Sequence, residues 1–209
     1  MDLLGSWQPT ATIEQLTQNA AIVRLVREYM QEQGVLEVIT PSLSRFTTTD
    51  PNIESVAACV MGDTRYLHTS PEFPMKRLLA AYQTSIYQIT KVFRDGEVGA
   101  RHNTEFSMLE WYRVGYSMED LMKEIEQLLK HIFGSLDQPL ESSNTVSYVS
   151  TVQTLLDCSF ESVTTAKIRS HFHDHSRSFP ESIDDVDSAL DLLLDEFVIP
   201  GFASNRLTF

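Results

Sequence analysis

Cationic side chains are scarce in this chain of 209 residues. Sixteen lysines and arginines stand against 29 aspartates and glutamates, giving a formal net charge of −13. Sequence-independent binding of nucleic acid rests on neutralising phosphates with Lys and Arg, so no stable nucleic-acid binding is expected. Cysteine is scarcer still. Cys59 and Cys158 lie far apart, which excludes a disulfide framework or a cysteine metal site and suggests buried free thiols in a reducing compartment. No stretch approaches the ~20 apolar residues that span a bilayer. Met1-Asp2 opens no basic and apolar leader, so a cytoplasmic protein without membrane association is expected. Internal repeats and low-complexity tracts are also missing. What remains, 42% hydrophobic and 22% charged, is an ordinary globular composition of a size for one domain.

The pattern along the chain is mixed. Thr12-Ile13-Glu14-Gln15 fits a capping box, and Ile13, Leu16, Ala20, Val23, Arg27 and Met30 follow at helical spacing up to Gly34. Val35 to Thr40 reads as a strand stopped by Pro41, which has no N–H for a ladder. Residues 42–63 read as a polar loop with a turn at Asp50-Pro51-Asn52. Arg65 to Thr69 reads as a strand, ended by Ser70-Pro71-Glu72 before a helix from about Pro74 to Tyr82. Ser117 caps a helix with the stripe Leu121, Ile125, Leu128 and Ile132, ending at Gly134. Further helices are expected from about Ser147 to Leu156 and from Ile183 to Phe197. His171-Phe172-His173-Asp174-His175 invites a metal, but only His171 and His175 would share a helical face. A surface helix end is the better reading, and no metal ligand is assigned.

The most informative stretch runs from Ile86 to Tyr112. Two alternating apolar runs flank Arg94-Asp95-Gly96-Glu97-Val98-Gly99-Ala100-Arg101-His102-Asn103-Thr104, the layout of an antiparallel hairpin with a charged loop. A solvated surface turn would explain that loop alone. The second strand argues for more. Its period of two puts Phe106, Met108, Glu110 and Tyr112 on one face, and a carboxylate amid aromatics is costly to bury without a partner. Such a face could stack a flat ring and bind an ammonium group. Arginine, with paired N–H donors, suits a phosphate beside it, and Arg94, Arg101 and Arg113 are close enough in sequence to form a local basic patch.

This hairpin resembles motif 2 of the class II aminoacyl-tRNA synthetases in its lysine-specific form, F-R-x-E, then H-N-P-E-F-T, then E-x-Y. Phe106-Ser107-Met108-Leu109-Glu110-Trp111-Tyr112-Arg113 is similar to the lysyl-tRNA synthetase paralogues that modify elongation factor P. Ser6-Trp7-Gln8-Pro9 and Thr69-Ser70-Pro71-Glu72-Phe73-Pro74-Met75-Lys76-Arg77-Leu78-Leu79 resemble the same family, and helix, Gly34, strand and Pro41 look like motif 1, which builds its dimer interface. The similarity is strong over 34–41 and 66–113 and thin beyond 150.

The resemblance implies an α+β fold, a class II synthetase-like antiparallel sheet flanked by helices. It implies activation of (R)-β-lysine or lysine with ATP and Mg²⁺ as an aminoacyl-adenylate, then transfer to a lysine of elongation factor P. Arg94 would be catalytic, on the α-phosphate and substrate carboxylate. Ser70, Pro71, Glu72, Glu110 and Tyr112 would bind the amino acid. Asp95, Gly96, Glu97, His102, Asn103 and Phe106 would join Arg94 in binding the nucleotide, with Phe106 stacking adenine, and a homodimer is expected. Departures are visible. The family's Arg-x-Glu is here Arg94-Asp95-Gly96 with the acid displaced to Glu97, and Thr104 replaces a proline. Motif 3, a glycine-rich element ending in Gly-x-Asp-Arg, is absent; Gly201 to Leu207 resembles it faintly, and Arg206 to Phe209 instead resembles the start of a mid-domain strand. The catalytic domain is therefore expected to be incomplete at its C-terminus by roughly a third, leaving an unpaired sheet edge. No anticodon-binding domain is expected ahead of Ile13. A catalytically inactive dimerisation or binding module, or a lysyl-tRNA synthetase catalytic fragment, is the alternative.

Overall fold

Thr12 and Gln15 exchange backbone-to-side-chain hydrogen bonds of 2.8 and 3.2 Å, the capping box its spacing predicts. It starts helix α1, Ile13–Glu32, and Gly34 at φ +67° turns the chain out of the helix where a side chain would be strained. The computed structural model describes residues 9–96, 99 and 102–209, so Ser6, Trp7, Gln8, Glu97 and Arg101, named above, lie outside the described residues. The chain divides into two compact units, Met1–Glu124 and Ile125–Phe209.

Two three-stranded sheets organise the first unit. Strand β1 is only Leu36–Glu37, shorter than the expected run to Thr40. It pairs in parallel with β5, Ile86–Phe93, so that sheet is mixed rather than wholly antiparallel. One further bond, from the Val38 amide to the Tyr87 carbonyl at 2.8 Å, continues the contact before Pro41. Beside β5 lies β6, Glu105–Tyr112, in an eight-residue antiparallel register from Ile86↔Tyr112 to Phe93↔Glu105. This is the predicted hairpin.

The second sheet corrects the reading of 42–63 as loop. It is ordered β2, Leu43–Ser44; β4, Asp63–Leu67; and β3, Ala57–Val60. Met61 and Gly62, at φ 53° and 87°, close a two-residue β3–β4 turn of the kind that follows strand twist. Cys59 on β3 is exposed and Cys158 half-buried; both are free, so the expectation of buried thiols was wrong for Cys59. Helix α2, Glu72–Tyr82, starts two residues earlier than expected. Pro74 fits its first turn, where an amide hydrogen would have no helical acceptor.

Helix α3, Met118–Ser135, starts in the first unit and continues into the second, where Leu128 and Ile132 of the predicted stripe are buried. The second unit adds α4, Tyr148–Leu156; α5, Thr165–Asp174; and α6, Val186–Phe197. Ser147, Thr164 and Asp185 each accept an amide hydrogen bond as N-caps, and Asp185 fixes the start of α6 three residues later than expected. Val152, Ile168, Phe172, Ala189, Leu190 and Leu193 form its core. Each large member contributes about 1.5–3 kcal/mol by burial. Arg206 to Phe209 runs beside residues 141–146, with the Asn144 amide bonded to Leu207 and the Phe209 amide returning to Asn144, both at 2.8 Å.

Candidate active site

Glu110 sits midway along β6, and the register places it directly opposite Gln88 on β5. Its carboxylate is partly buried and both oxygens are engaged. The Ser70 hydroxyl donates to Oε2 at 2.6 Å, and the Tyr112 hydroxyl donates to Oε1 at 2.7 Å. These partners are neutral, so the negative charge is oriented without being cancelled. A carboxylate has about four lone-pair directions, which leaves two for a ligand's N–H groups. Burial, then the bond to Glu110, pushes the Tyr112 phenol well above its ordinary value, so Tyr112 stays a donor across the physiological range.

Ser70 links this carboxylate to the start of α2. Its oxygen accepts the Glu72 amide hydrogen at 3.0 Å while its hydroxyl donates to Glu110. Glu72 lies in the first helical turn, where a carboxylate complements the helix dipole, and Lys76 approaches it to 2.5 Å one turn on. Pro71 is fully buried beneath. The floor continues to Thr40, whose hydroxyl donates to Gln88 Oε1 at 3.0 Å; both residues are buried.

Arg94 leaves the end of β5 as the hairpin loop begins. Its amide bonds Thr104 at 2.9 Å and its Nε reaches the Thr69 carbonyl at 3.4 Å. The guanidinium carbon lies 5.2 Å from the centre of the Phe106 ring, a cation–π contact that fixes the plane of the arginine.

Arg94, Ser70, Glu72 and Glu110 line one open cleft of about 1090 Å³, of a size for a nucleotide-scale ligand. Its other wall is the segment from Pro41 to Ser55, including Thr47, Thr48, Asp50 and Asn52. That wall is tied down near its ends. The His68 amide bonds Ser42 at 2.9 Å, and the Asp95 amide bonds Glu54 at 2.8 Å, next to Arg94.

Other residues expected at the site stand apart from this lining. Tyr112 and Phe106 reach it only through Glu110 and Arg94. Asp95 and Gly96 are exposed; His102 and Asn103 are also exposed, with the His102 backbone paired to Gly99. Arg113 does not join a basic patch, being buried against Glu124 at 3.2 Å. His171 and His175 do share a face of α5, with ring centres 4.2 Å apart and both packed on Phe197. Among the described residues no group of three or more His, Cys, Asp or Glu could hold a metal. Sequence reasoning missed Gln88, Thr40 and the 41–55 wall. A glutamine inside Ile86-Tyr87-Gln88-Ile89 is a legible signal, since a polar residue in an apolar run needs a partner.

The profile of the tRNA synthetases class II (D, K and N) matches residues 7–189. The chain belongs to that family of class II tRNA synthetases. Among similar curated proteins are three each named elongation factor P–(R)-β-lysine ligase. That of Haemophilus ducreyi is 36% identical over 209 residues, covering 97% of this chain and 62% of the relative. That of Yersinia enterocolitica is 38% identical over 216 residues, covering 100% and 65%. That of Vibrio vulnificus is 48% identical over 134 residues, covering 61% and 42%. The chain thus spans less than two thirds of the length of these relatives. No helix among the described residues is long and apolar enough to cross a membrane.

Proposed function

We propose that the cleft activates a lysine-type amino acid, (R)-β-lysine or lysine, with ATP, and that the acyl group is then passed to a lysine side chain of elongation factor P. The observation that carries this reading is the shared cleft of Arg94 and Glu110, one end for phosphate and the other for an ammonium. The names of the relatives support the choice of substrates.

In the first step an oxygen of the amino acid's carboxylate attacks the α-phosphorus of ATP and pyrophosphate leaves. No side-chain nucleophile is required, so the protein's part is positioning and neutralising charge. Arg94 neutralises the α-phosphate and the attacking carboxylate. Glu110, oriented by Ser70 and Tyr112, takes the substrate ammonium, and Glu72 a second amino group. The Phe106 ring is the adenine platform on the face that Arg94 leaves open. In the second step the acceptor's neutral ε-amine attacks the acyl carbon, AMP leaves, and the amine loses a proton. Magnesium would enter bound to the phosphates of ATP and would help Arg94 neutralise their charge.

ATP–pyrophosphate exchange by this chain, dependent on (R)-β-lysine or lysine, tests the first step. Mass spectrometry of elongation factor P after incubation tests the second. No exchange at millimolar amino acid would sink the reading, and charging of tRNA in its place would redirect it.

A second copy of the chain belongs to the same proposal. Ile13 and Leu16 on α1, Leu36 on β1 and Ile39 beyond it are large apolar residues exposed by 50% or more. A soluble protein rarely leaves such a set uncovered. The double variant Leu36→Asp/Ile39→Asp is expected to sediment as a monomer at concentrations where the parent is a dimer; identical sedimentation would remove this surface from consideration.

A further inference from the structure

Strand β6 has a second face, and it too is gripped by a carboxylate. Alternation turns Trp111 away from the cleft, and Arg113, one residue past the strand on the other side of Tyr112, meets the same carboxylate. Both bind Glu124 of α3: the Trp111 indole donates to Oε2 at 3.0 Å, and Arg113 Nε pairs with Oε1 at 3.2 Å. The Tyr29 hydroxyl donates to the Glu124 backbone carbonyl at 3.4 Å. Arg113 is used on every side, donating to the Gln33 carbonyl at the end of α1 and to the Tyr116 hydroxyl, and stacking on the Tyr116 ring at 4.4 Å. The side chains of Arg113 and Glu124 are 9% and 4% exposed.

A buried ion pair of this kind is poor value as stability. Desolvating two charges offsets most of their attraction, and apolar replacements of similar volume are often as stable. What it does supply is a fixed geometry, because the indole N–H is directional and the terminal nitrogens of Arg113 are themselves held by the Gln33 carbonyl and the Tyr116 hydroxyl. The residue it brackets is Tyr112, whose hydroxyl orients Glu110.

We propose that Glu124 is a positioning residue for the amine-binding carboxylate: by holding Trp111 and Arg113 on either side of Tyr112, it sets the phenol that aims Glu110 at a primary ammonium. This rests on reading Glu110 as the ammonium site, and the ligand-free measurement below separates the two claims.

The test uses the full chain with Glu124→Gln, and with Arg113→Met/Glu124→Gln, which removes the arginine that the first variant leaves buried without its counter-charge. Titration of Tyr112, followed by the NMR shift of its ζ-carbon without ligand, should move down toward the ordinary tyrosine value in both variants. Glu110→Gln serves as the control that must move it. Calorimetry with (R)-β-lysine and with L-lysine should show Kd raised about tenfold, as for one weakened hydrogen bond to a charged group, while Kd for ATP changes less than about twofold. An unmoved Tyr112 titration overturns the proposal, as does equal weakening of amine and ATP, which would mark Glu124 as a general prop. A parent chain that binds neither amine refutes the ammonium site alone, and the tyrosine titration still decides the role of Glu124.

Discussion

The strand-bearing unit and the helical unit bury different chemistry. All four buried polar or charged residues among those described, Thr40, Thr69, Gln88 and Glu124, lie in the first unit. The core of the second is apolar throughout: Val152, Ile168, Phe172, Ala189, Leu190 and Leu193. Apolar burial is the less costly route to a stable core, since every buried polar group must find a partner. The first unit therefore carries an arrangement that stability alone would not select. Gln88, bonded to Thr40, lies opposite Glu110 in the register, the Thr69 carbonyl accepts from Arg94, and Glu124 holds the Glu110 strand through Trp111. Polar burial here follows the site.

Deleting the centre of the helical core should have the largest energetic effect. Phe172 is fully buried, edge-on to Phe179 and Phe197 at 5.3 and 5.0 Å. Phe172→Ala should cost about 3–5 kcal/mol in urea unfolding; a loss below about 1 kcal/mol would mean that the core is not organised around it. In the strand unit the contrast should invert. Arg94→Ala should reduce pyrophosphate exchange by at least about 10²-fold, yet shift the thermal midpoint by less than about 3 °C. A variant that keeps its rate would remove Arg94 from the chemistry.

Much of this division was legible in the sequence. Period-two alternation located the hairpin, and its observed register is unbroken over eight pairs. The capping box, the α3 stripe and the ends of α4 and α6 are local signals, and they were read to within about three residues. What escaped was non-local. Leu43–Ser44 and Ala57–Val60 are strands only because β4 lies between them, and their sequence carries no long alternating run. The same holds for the site. Glu110, Ser70, Glu72 and Arg94 were readable through motif likeness. The cleft wall at 41–55 and the Thr40–Gln88 floor depend on which segments meet, and a single sequence does not record that.

Thr40 and Gln88 permit a sharper, smaller test of the polar floor. Thr40→Val leaves a buried amide oxygen without its donor and should cost about 1–3 kcal/mol, whereas Thr40→Val/Gln88→Leu removes both partners and should recover most of it. The coupling from the double-mutant cycle is the quantity to measure. Additive losses would mean that the hydrogen bond at 3.0 Å contributes nothing to stability.

The smallest expected effect distinguishes the units by degree, because the imidazole displaced downward lies in the helical unit, while the phenols held above their ordinary value are Tyr29, Tyr87 and Tyr112 in the strand unit against Tyr148 alone in the helical one. In the helical unit, burial and then the neighbouring His175 push His171 below its ordinary value of 6.5, opposed by Asp174. Between that lowered value and 6.5 the unfolded chain binds the proton more readily, so stability falls as the pH drops below about 6.5. In the strand unit, burial and then the bond to Glu37 push Tyr87 up to about 12, and Tyr112 is displaced the same way by burial and Glu110. These phenols keep their protons when folded while unfolded tyrosines lose theirs near pH 10, so stability falls as the pH rises beyond about 10. Native-state hydrogen exchange between about pH 5 and pH 11, corrected for intrinsic exchange, reads the two units separately. Acid should raise opening first in α5 and α6, and alkali first in β5 and β6. His171→Leu should flatten the acid limb and Tyr87→Phe the alkaline one. An acid limb above pH 5 that persists unchanged in His171→Leu would remove His171 as its cause, since the capping Asp185 keeps its stabilising charge down to lower pH. The contrast between a helical unit sensitive to one imidazole and a strand unit richer in protected phenols would then need redrawing.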